Sequence, residues 1–236
     1  MGKPLVGPST TYQRHRPEST ELYRLVRDHL PAFLELAAAN YERPLPKYVE
    51  QELRAYLRCG LLEHGFLRAV CKTCGEDLLV AFSCKKRGVC PSCNARRMCD
   101  TAAHLVDRVF PEVPLRQWVL SVPFELRLLL ARDSDALTAA GRIFAEEILR
   151  LHVRRARQRG HQRARAGAIT FPQRFGGALN LNVHYHLAVP DGVFSLAKGV
   201  TRATFRPLPR PTPDQLQEVT ERTAQRVLAW LRRRRL

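Results

Sequence analysis

Residues 181–189, LNVHYHLAV, carry the most informative pattern of the chain. The odd positions are apolar or aromatic, whereas the even positions include Asn182, His184 and His186. Because successive side chains of a strand point to opposite faces, this alternation predicts a strand whose apolar face packs against helices. The two histidines then share the other face, close enough to bind one divalent ion. Spacing alone leaves two alternatives open, a metal site or an incidental histidine pair on an exposed face.

Around this segment, strand and helix patterns alternate. We predict further strands at residues 117–122 (QWVLSV) and 168–171 (AITF). Between them lies a helix with one apolar face, which Asp133 can cap and Gly160 ends. A final basic helix is predicted at residues 214–235. The preceding half of the chain is mostly helical instead.

Three helices are predicted before the cysteine-rich segment. The first opens near Ser19, and Pro31 starts the second. The third follows Pro46, and Gly60 caps its end. A further helical pattern covers residues 94–110.

Seven cysteines form the second informative pattern, and six of them lie from Cys59 to Cys93. Cys71 and Cys74 make one CxxC pair, and Cys90 and Cys93 make another. Two intervening residues allow both thiolates of a pair to face one ion, and zinc requires four such ligands in a tetrahedron. We therefore predict a structural zinc-ribbon site from these two pairs. Redox-active pairs would instead need a thioredoxin-like strand–helix context, which the sequence does not offer.

Other side chains in this segment leave the ligand set open. Cys59, Cys84 or His64 could replace one zinc ligand or contribute to a second site. Packed thiols and a capping histidine are the alternative.

The charge balance indicates a polyanionic partner. The 236 residues include 39 Lys and Arg against 22 Asp and Glu, a net charge of +17. Neutralising phosphates releases condensed counterions, so such an excess is typical of nucleic-acid binders. A basic soluble protein without that function is the alternative. No apolar run approaches the ~18 residues of a membrane span, and the N-terminus has no signal-peptide core. We therefore expect a cytoplasmic protein, in which the cysteines do not form a disulfide framework.

Basic residues in two segments are candidates for phosphate contact. One set lies around the second CxxC pair, and the other lies in residues 151–166, which hold six arginines and no acidic residue. The candidates are Lys85, Lys86, Arg87, Arg96, Arg97, Arg154, Arg155 and Arg157. Solvated helix ends, where arginine also suits the helix dipole, are the alternative.

Two of these motifs together resemble a known family. His184-Tyr185-His186, inside FPQRFGGALNLNVHYHLAVPDGVF, resembles the His-hydrophobe-His (HUH) motif of single-strand DNA endonucleases. Upstream, GFLRAVCKTCGEDLLVAFSCKKRGVCPSCNARRM resembles the zinc-binding domain of rolling-circle transposases of the insertion sequence ninety-one type. Both occur in that family's order, from about residue 20 to the C-terminus, and the combination is more specific than either motif.

The resemblance implies an α+β fold. N-terminal helices and a zinc-ribbon module would precede a partial ferredoxin-like antiparallel sheet with helices on one face, as in HUH endonucleases. Three parts are expected: a disordered tail at 1–16, a helical zinc-binding and DNA-binding domain at 17–110, and an incomplete catalytic domain at 111–236.

The resemblance also implies a chemistry. His184, His186 and a third polar ligand would hold Mg or Mn, which polarises the scissile phosphate while a Tyr hydroxyl attacks it. The implied partner is DNA, in particular single-stranded element ends, with no nucleotide cofactor and no membrane. The expected location is the bacterial cytoplasm, in association with the nucleoid. Asp191 and Gln173 are nearby candidates for the third ligand, and neither is assigned.

The sequence departs from the family at the nucleophile. No tyrosine follows the HUH motif, and Tyr185 should point away from the histidines. The chain stops at residues 232–236, inside a predicted helix. We therefore expect a truncated transposase that binds DNA and does not cleave it alone. The alternatives are a non-catalytic zinc-ribbon DNA-binding protein and a plasmid rolling-circle replication initiator, although initiators as a rule lack the upstream zinc ribbon.

Overall fold

The computed structural model describes residues 15–40, 45–196 and 200–236. The expected tail at 1–16 lies outside these ranges apart from its last two residues. By contacts the chain divides into two compact units, Met1–Val109 and Phe110–Leu236. The described strands pair antiparallel and accompany six helices, which confirms the α+β class. No helix in the described ranges has the length and apolarity that a bilayer span requires.

In its described residues, the first unit contains three α-helices and one hairpin. Its elements are α1 (Glu21–Asn40), α2 (Lys47–Arg58), β1 (Phe66–Val70), β2 (Asp77–Ala81) and α3 (Pro91–His104), which a π-helical turn, Leu105–Val109, follows.

The predicted helix start at Pro31 is wrong, because Pro31 lies inside α1. A proline within a helix removes one backbone hydrogen bond. Tyr23, Leu30 and Ala37, seven residues apart, form one buried stripe along α1 on both sides of the proline. This continuous packing holds the helix together across Pro31.

The core of the first unit is small. In the described residues its buried cluster consists of Tyr23, Tyr56, Cys59, Leu61 and Cys90. The two tyrosine rings meet edge to face with centroids 6.1 Å apart. Two of these five residues are cysteines, so the thiols belong to the hydrophobic core itself.

The described part of the second unit consists of two small sheets and three α-helices. Its elements are β3 (Leu115–Ser121), α4 (Phe124–Arg132), α5 (Ser134–Gln158), β4 (Ala164–Arg165), β5 (Ile169–Phe175), β6 (Leu181–Pro190), β7 (Gly192–Ser195), β8 (Thr204–Pro207) and α6 (Pro213–Arg234). The strand orders are β3-β6-β5 and β4-β7-β8. The three strands predicted from the sequence are therefore confirmed as β3, β5 and β6.

One face of β6 forms the centre of this unit's core. Val183, Tyr185, Leu187 and Val189 are at most 1% exposed. The Tyr185 hydroxyl donates a hydrogen bond of 2.8 Å to the Leu137 carbonyl of α5. Tyr185 thus points away from the histidines, as the alternation predicts. The opposite face of the sheet carries the even-numbered side chains of β6.

An ion-pair network joins α5 to α6. The Glu147 side chain is 2% exposed, and its carboxylate accepts from Arg150 at 2.6 Å, Arg222 at 3.1 Å and Arg226 at 2.6 Å. A carboxylate buried to this degree needs such partners, since burying an unpaired charge is costly. Arg150, Arg222 and Arg226 therefore hold these two helices together.

Candidate metal sites and basic surfaces

Four cysteine sulfurs of the first unit converge. The Sγ atoms of Cys59, Cys84, Cys90 and Cys93 all lie within 4.8 Å of one another. Cys93 Sγ is 3.7 Å from Cys59 Sγ and 3.5 Å from Cys84 Sγ, and Cys90 Sγ is 3.6 Å from Cys59 Sγ. A zinc ion with four ligands at about 2.3 Å requires sulfur–sulfur separations of about 3.8 Å. The group therefore fits a tetrahedral zinc ion.

Local structure brings these four residues together. Cys59 ends α2, whereas Cys90 caps the N-terminus of α3 and Cys93 lies in its first turn. The Cys84 backbone N–H donates to Cys59 Sγ over 3.2 Å. Such a bond orients a metal-binding thiolate. The N-terminus of a helix carries a partial positive charge, which suits anionic metal ligands at this place.

Side chains that do not belong to the cysteine group hold the loop between β2 and α3 in place through hydrogen bonds. The Gly88 N–H donates to Glu52 Oε2 over 2.8 Å, and Asn94 Nδ2 donates to the Gly88 carbonyl over 2.7 Å. A Cβ atom at position 88 would lie 2.4 Å from the Glu52 oxygen, so a larger residue there would displace the Glu52 carboxylate. Arg97 Nη2 donates to the carbonyl of Lys85, whose φ of 53° is left-handed.

Burial opposes ionisation of two of these thiols while no ion is bound. It raises the pKa of Cys84 to about 11, and it raises the pKa of Cys59 further. The thiols of Cys59 and Cys84 are therefore poorly matched to the thiolate form without an ion, whereas a bound cation reverses this preference. The donor set is therefore suited to a soft divalent ion.

Here the structure differs from the ligand set predicted from the sequence. Cys90 and Cys93 join Cys59 and Cys84, and they do not join Cys71 and Cys74. Cys71 and Cys74 are exposed at the tip of the β1–β2 hairpin. Backbone N–H groups of Cys74 and Thr73 hold the pKa of Cys71 at about 7, below its usual value. The physical reason for the difference is that the hairpin carries its tip away from the core that holds the other four cysteines.

His184 and His186 stand side by side on the outward face of β6, with ring centroids 5.0 Å apart. His184 Nδ1 lies 2.6 Å from the Asn182 carbonyl oxygen. This bond places the proton on Nδ1 and leaves Nε2 as a ligand. His186 Nδ1 lies 2.6 Å from Gln117 Nε2. With the Gln117 amide turned so that its oxygen accepts from Nδ1, His186 also presents Nε2.

The residues directly opposite the two histidines on the neighbouring strands are uncharged. Ser121 and Gln173 lie directly opposite His184 on the neighbouring strands. Asp191 is not free for this site, because Arg116 donates to both of its carboxylate oxygens at 2.9 and 2.6 Å. Among the residues that the structure describes, three or more His, Cys, Asp or Glu ligand atoms gather only in the cysteine group. Amide oxygens are therefore the neighbours that could complete coordination of a hard cation.

Two family models match the chain on either side of residue 122. Residues 25–122 match the model described as "Transposase zinc-binding domain", of the insertion sequence ninety-one type. Residues 167–229 match the model described as "Putative transposase".

The chain belongs to the transposases of the insertion sequence ninety-one type. The first match contains all seven cysteines and the second contains both HUH-motif histidines. No curated protein and no solved structure matches this transposase.

The basic residues of this transposase that were predicted to contact phosphate differ in their exposure and in their partners within the protein. Lys85, Arg87, Arg96 and Arg157 are exposed, and no carboxylate in the described ranges pairs with them. Lys86 and Arg97 are half-buried.

Arg154 and Arg155 have partners within the protein. Arg154 donates to both oxygens of Glu218. Arg155 is 3% exposed and donates to the carbonyls of Pro209 and Arg210. These two arginines hold α5 against the segments that follow it.

Sequence reasoning missed Gln117 as a neighbour of the histidines. The signal was present, because Gln117, Val119 and Ser121 alternate with the inward-facing Trp118 and Leu120 of β3. Only the pairing of β3 with β6, however, places Gln117 beside His186.

Proposed function

We propose that this chain is the DNA-binding and metal-binding part of an insertion-sequence transposase. The single observation that carries the proposal is the histidine pair. Two imidazoles stand 5.0 Å apart on the exposed face of the central strand of a sheet. An open sheet face allows a DNA strand to reach a bound ion directly.

The metal we propose there is Mg or Mn. His184 and His186 would hold it through Nε2, and the amide oxygen of Gln173, directly opposite His184 on β5, could complete the coordination. A divalent ion at this place supplies charge stabilisation to a phosphate oxygen. The role of the chain's own residues is to present two fixed nitrogens, since His184 is oriented by Asn182 and His186 by Gln117.

We propose that the second unit binds a phosphodiester without forming a covalent link to it. A nucleophilic tyrosine must reach the bound phosphate. Tyr185 is the one tyrosine in residues 110–236, and it is 1% exposed on the opposite face of β6. DNA binding without cleavage is therefore the activity expected of these residues.

The zinc site proposed for the first unit is the group Cys59, Cys84, Cys90 and Cys93. Its role is structural, because four protein thiolates leave no open coordination position for a substrate. The ion would fix the α2 end, the loop before α3 and the start of α3. In that arrangement Lys85, Arg87 and Arg96 project from a rigid frame, as a phosphate-binding surface requires.

Three measurements on the purified chain test this proposal. Mn²⁺ binding is followed by electron paramagnetic resonance, with His184→Ala/His186→Ala compared with His161→Ala, a histidine of the same unit outside the pair. We expect the double variant to lose the bound Mn²⁺ signal and the control to keep it. Equal Mn²⁺ binding by all three proteins would refute the histidine site.

DNA binding is measured by fluorescence anisotropy with single-stranded and duplex oligonucleotides over a range of salt concentrations. We expect the affinity to fall steeply as salt rises, because binding releases counterions. A denaturing gel of the same mixtures with Mn²⁺ should contain no covalent adduct. An adduct that His184→Ala/His186→Ala abolishes would refute the proposed lack of a nucleophile, and salt-independent binding would refute the phosphate-binding surface.

A further inference from the structure

The β1–β2 hairpin bears a CxxC pair that the cysteine group does not use. Cys71 and Cys74 flank Lys72 and Thr73 in the loop between the strands, and all four residues are exposed. The Gly75 N–H donates to the Cys71 carbonyl and the Cys71 N–H donates to the Glu76 carbonyl, each over 2.9 Å. Gly75 has a φ of +75°, which favours glycine.

This loop is a turn of the kind that presents two thiolates to one metal ion. A CxxC pair supplies two of the four ligands that a tetrahedral zinc ion takes. Among the described residues, no third His, Cys, Asp or Glu ligand atom joins Cys71 and Cys74 in a group of the required size. The hairpin therefore provides two of the four ligands of a zinc site, and its turn already holds them in place.

In the described residues, one face of the same hairpin is apolar and exposed over a third or more of each large side chain. The register pairs Leu67 with Val80 and Ala69 with Leu78, and directly opposed residues share a face. Leu67 is 60% exposed, and Leu78 and Val80 are 37% and 38% exposed. An isolated two-stranded hairpin is marginally stable in water, so a face of this composition favours burial against another surface.

We propose that a second copy of this chain completes the metal site. Two hairpins packed through this apolar face bring two Cys71–Cys74 pairs to the same end of the pair, where four thiolates bind one shared zinc ion. The contact is isologous, as a two-fold dimer requires, because each copy contributes the same hairpin face and the same two ligands.

The charges around the loop agree with a shared ion. Zinc with four thiolates carries two negative charges in excess. Each copy places one exposed lysine, Lys72, between its two ligands, so that two lysines offset this excess. Arg68 is already paired with Asp77 across the hairpin.

The test combines zinc content with the molar mass of the full chain in solution, after removal of nucleic acid at high salt. We expect a dimer with about 1.5 zinc ions per chain, one in each cysteine group and one shared. Cys71→Ser/Cys74→Ser should give a monomer with about one zinc ion per chain. Cys99→Ser, which removes an exposed cysteine outside both sites, should behave as the wild type.

A second variant tests the contribution of the apolar face to the dimer without changing the thiols. Leu67→Lys retains all cysteines and changes a side chain that is already 60% exposed, so the unit should remain folded. We expect it to weaken the dimer at least tenfold. A wild-type monomer at all zinc concentrations, or a Cys71→Ser/Cys74→Ser variant that remains dimeric, would overturn the proposal.

The outcomes also distinguish this shared site from the zinc site proposed for Cys59, Cys84, Cys90 and Cys93. Loss of the shared site lowers the zinc content by half an ion per chain and leaves the remaining ion tightly bound. If Cys71→Ser/Cys74→Ser instead removes all zinc, both ligand assignments are wrong, and the ligand set predicted from the sequence is correct.

Discussion

Substitution of Cys84 distinguishes the ligand set found in the structure from the set expected from sequence spacing. Cys84 is half-buried, so Cys84→Ser changes little packing and mainly removes one thiolate. Its sulfur lies 3.5 Å from Cys93 Sγ, close to the edge of about 3.8 Å that a zinc tetrahedron needs. We therefore expect the tightest zinc ion of the chain to depend on Cys84.

The expected loss of zinc affinity in Cys84→Ser follows from the number of zinc ligands. Structural zinc binds with about 10–16 kcal/mol of free energy through four ligands. An equal share per ligand is about 2.5–4 kcal/mol, or roughly 10²–10³-fold in affinity. That loss also destabilises the first unit, because zinc binding and folding are linked. In the described residues the main buried cluster of this unit has five members, two of them proposed zinc ligands, so little other apolar burial in that cluster holds the unit folded.

Zinc affinity is measured by competition with a chromophoric chelator, and folding of the unit by limited trypsin digestion. Cys84→Ser should release zinc at lower chelator concentration and become sensitive to trypsin within residues 45–109. Cys99→Ser provides the matched control. If Cys84→Ser keeps wild-type affinity and protection while Cys71→Ser loses both, the assignment of the four converging cysteines is refuted.

Further predictions concern the second unit and are measured by urea unfolding unless stated. Gly141→Ala should destabilise it by about 1–3 kcal/mol, since the added Cβ would lie 2.9 Å from the Tyr185 ring; an unchanged midpoint contradicts that close approach. Tyr185→Phe should cost about 1 kcal/mol for the lost hydrogen bond. Burial raises the pKa of Tyr185 to about 12, so its folded-state stabilisation is complete below pH ~10 and is lost as the pH rises toward 12. The stability difference between wild type and Tyr185→Phe should therefore shrink over that interval. Glu147→Gln should destabilise by about 2 kcal/mol, because it removes the charge that three arginines share. Arg157→Ala should weaken DNA binding without changing stability, whereas Arg155→Ala should lower stability, because Arg155 is buried; equal effects of the two on stability contradict the distinction.

Much of the second unit could be predicted from local sequence. The alternation of residues 181–189 predicted β6 and the inward direction of Tyr185, and Asp133 marked the start of α5, where it accepts from the Ala136 N–H over 2.8 Å. These features depend on strand periodicity and helix capping, which operate over a few residues. By contrast, α4 and the small β4-β7-β8 sheet were not predicted. Their sequences carry weak periodic signals, and their strands are only two to four residues long.

The same distinction between local and long-range features applies to the candidate sites. Sequence spacing identified the cysteine segment and the histidine pair, because pairs such as CxxC and HxH lie within one turn or one strand. It did not determine the partners of each pair. Helical continuity through Pro31 was also misjudged, since the packing of Tyr23, Leu30 and Ala37 outweighs one missing hydrogen bond.

The sequence by itself determined the family resemblance, the α+β class, the pairing of His184 with His186 and the excess of basic charge. Tertiary structure alone decided that Cys59 and Cys84 join Cys90 and Cys93, and that Gln117 lies beside His186. It also decided which arginines are exposed and which are bound within the protein. The physical reason is distance along the chain. Local periodicity sets the direction of neighbouring side chains, whereas contacts such as Cys59 with Cys93 or Gln117 with His186 join residues 34 and 69 positions apart, and only packing brings them together.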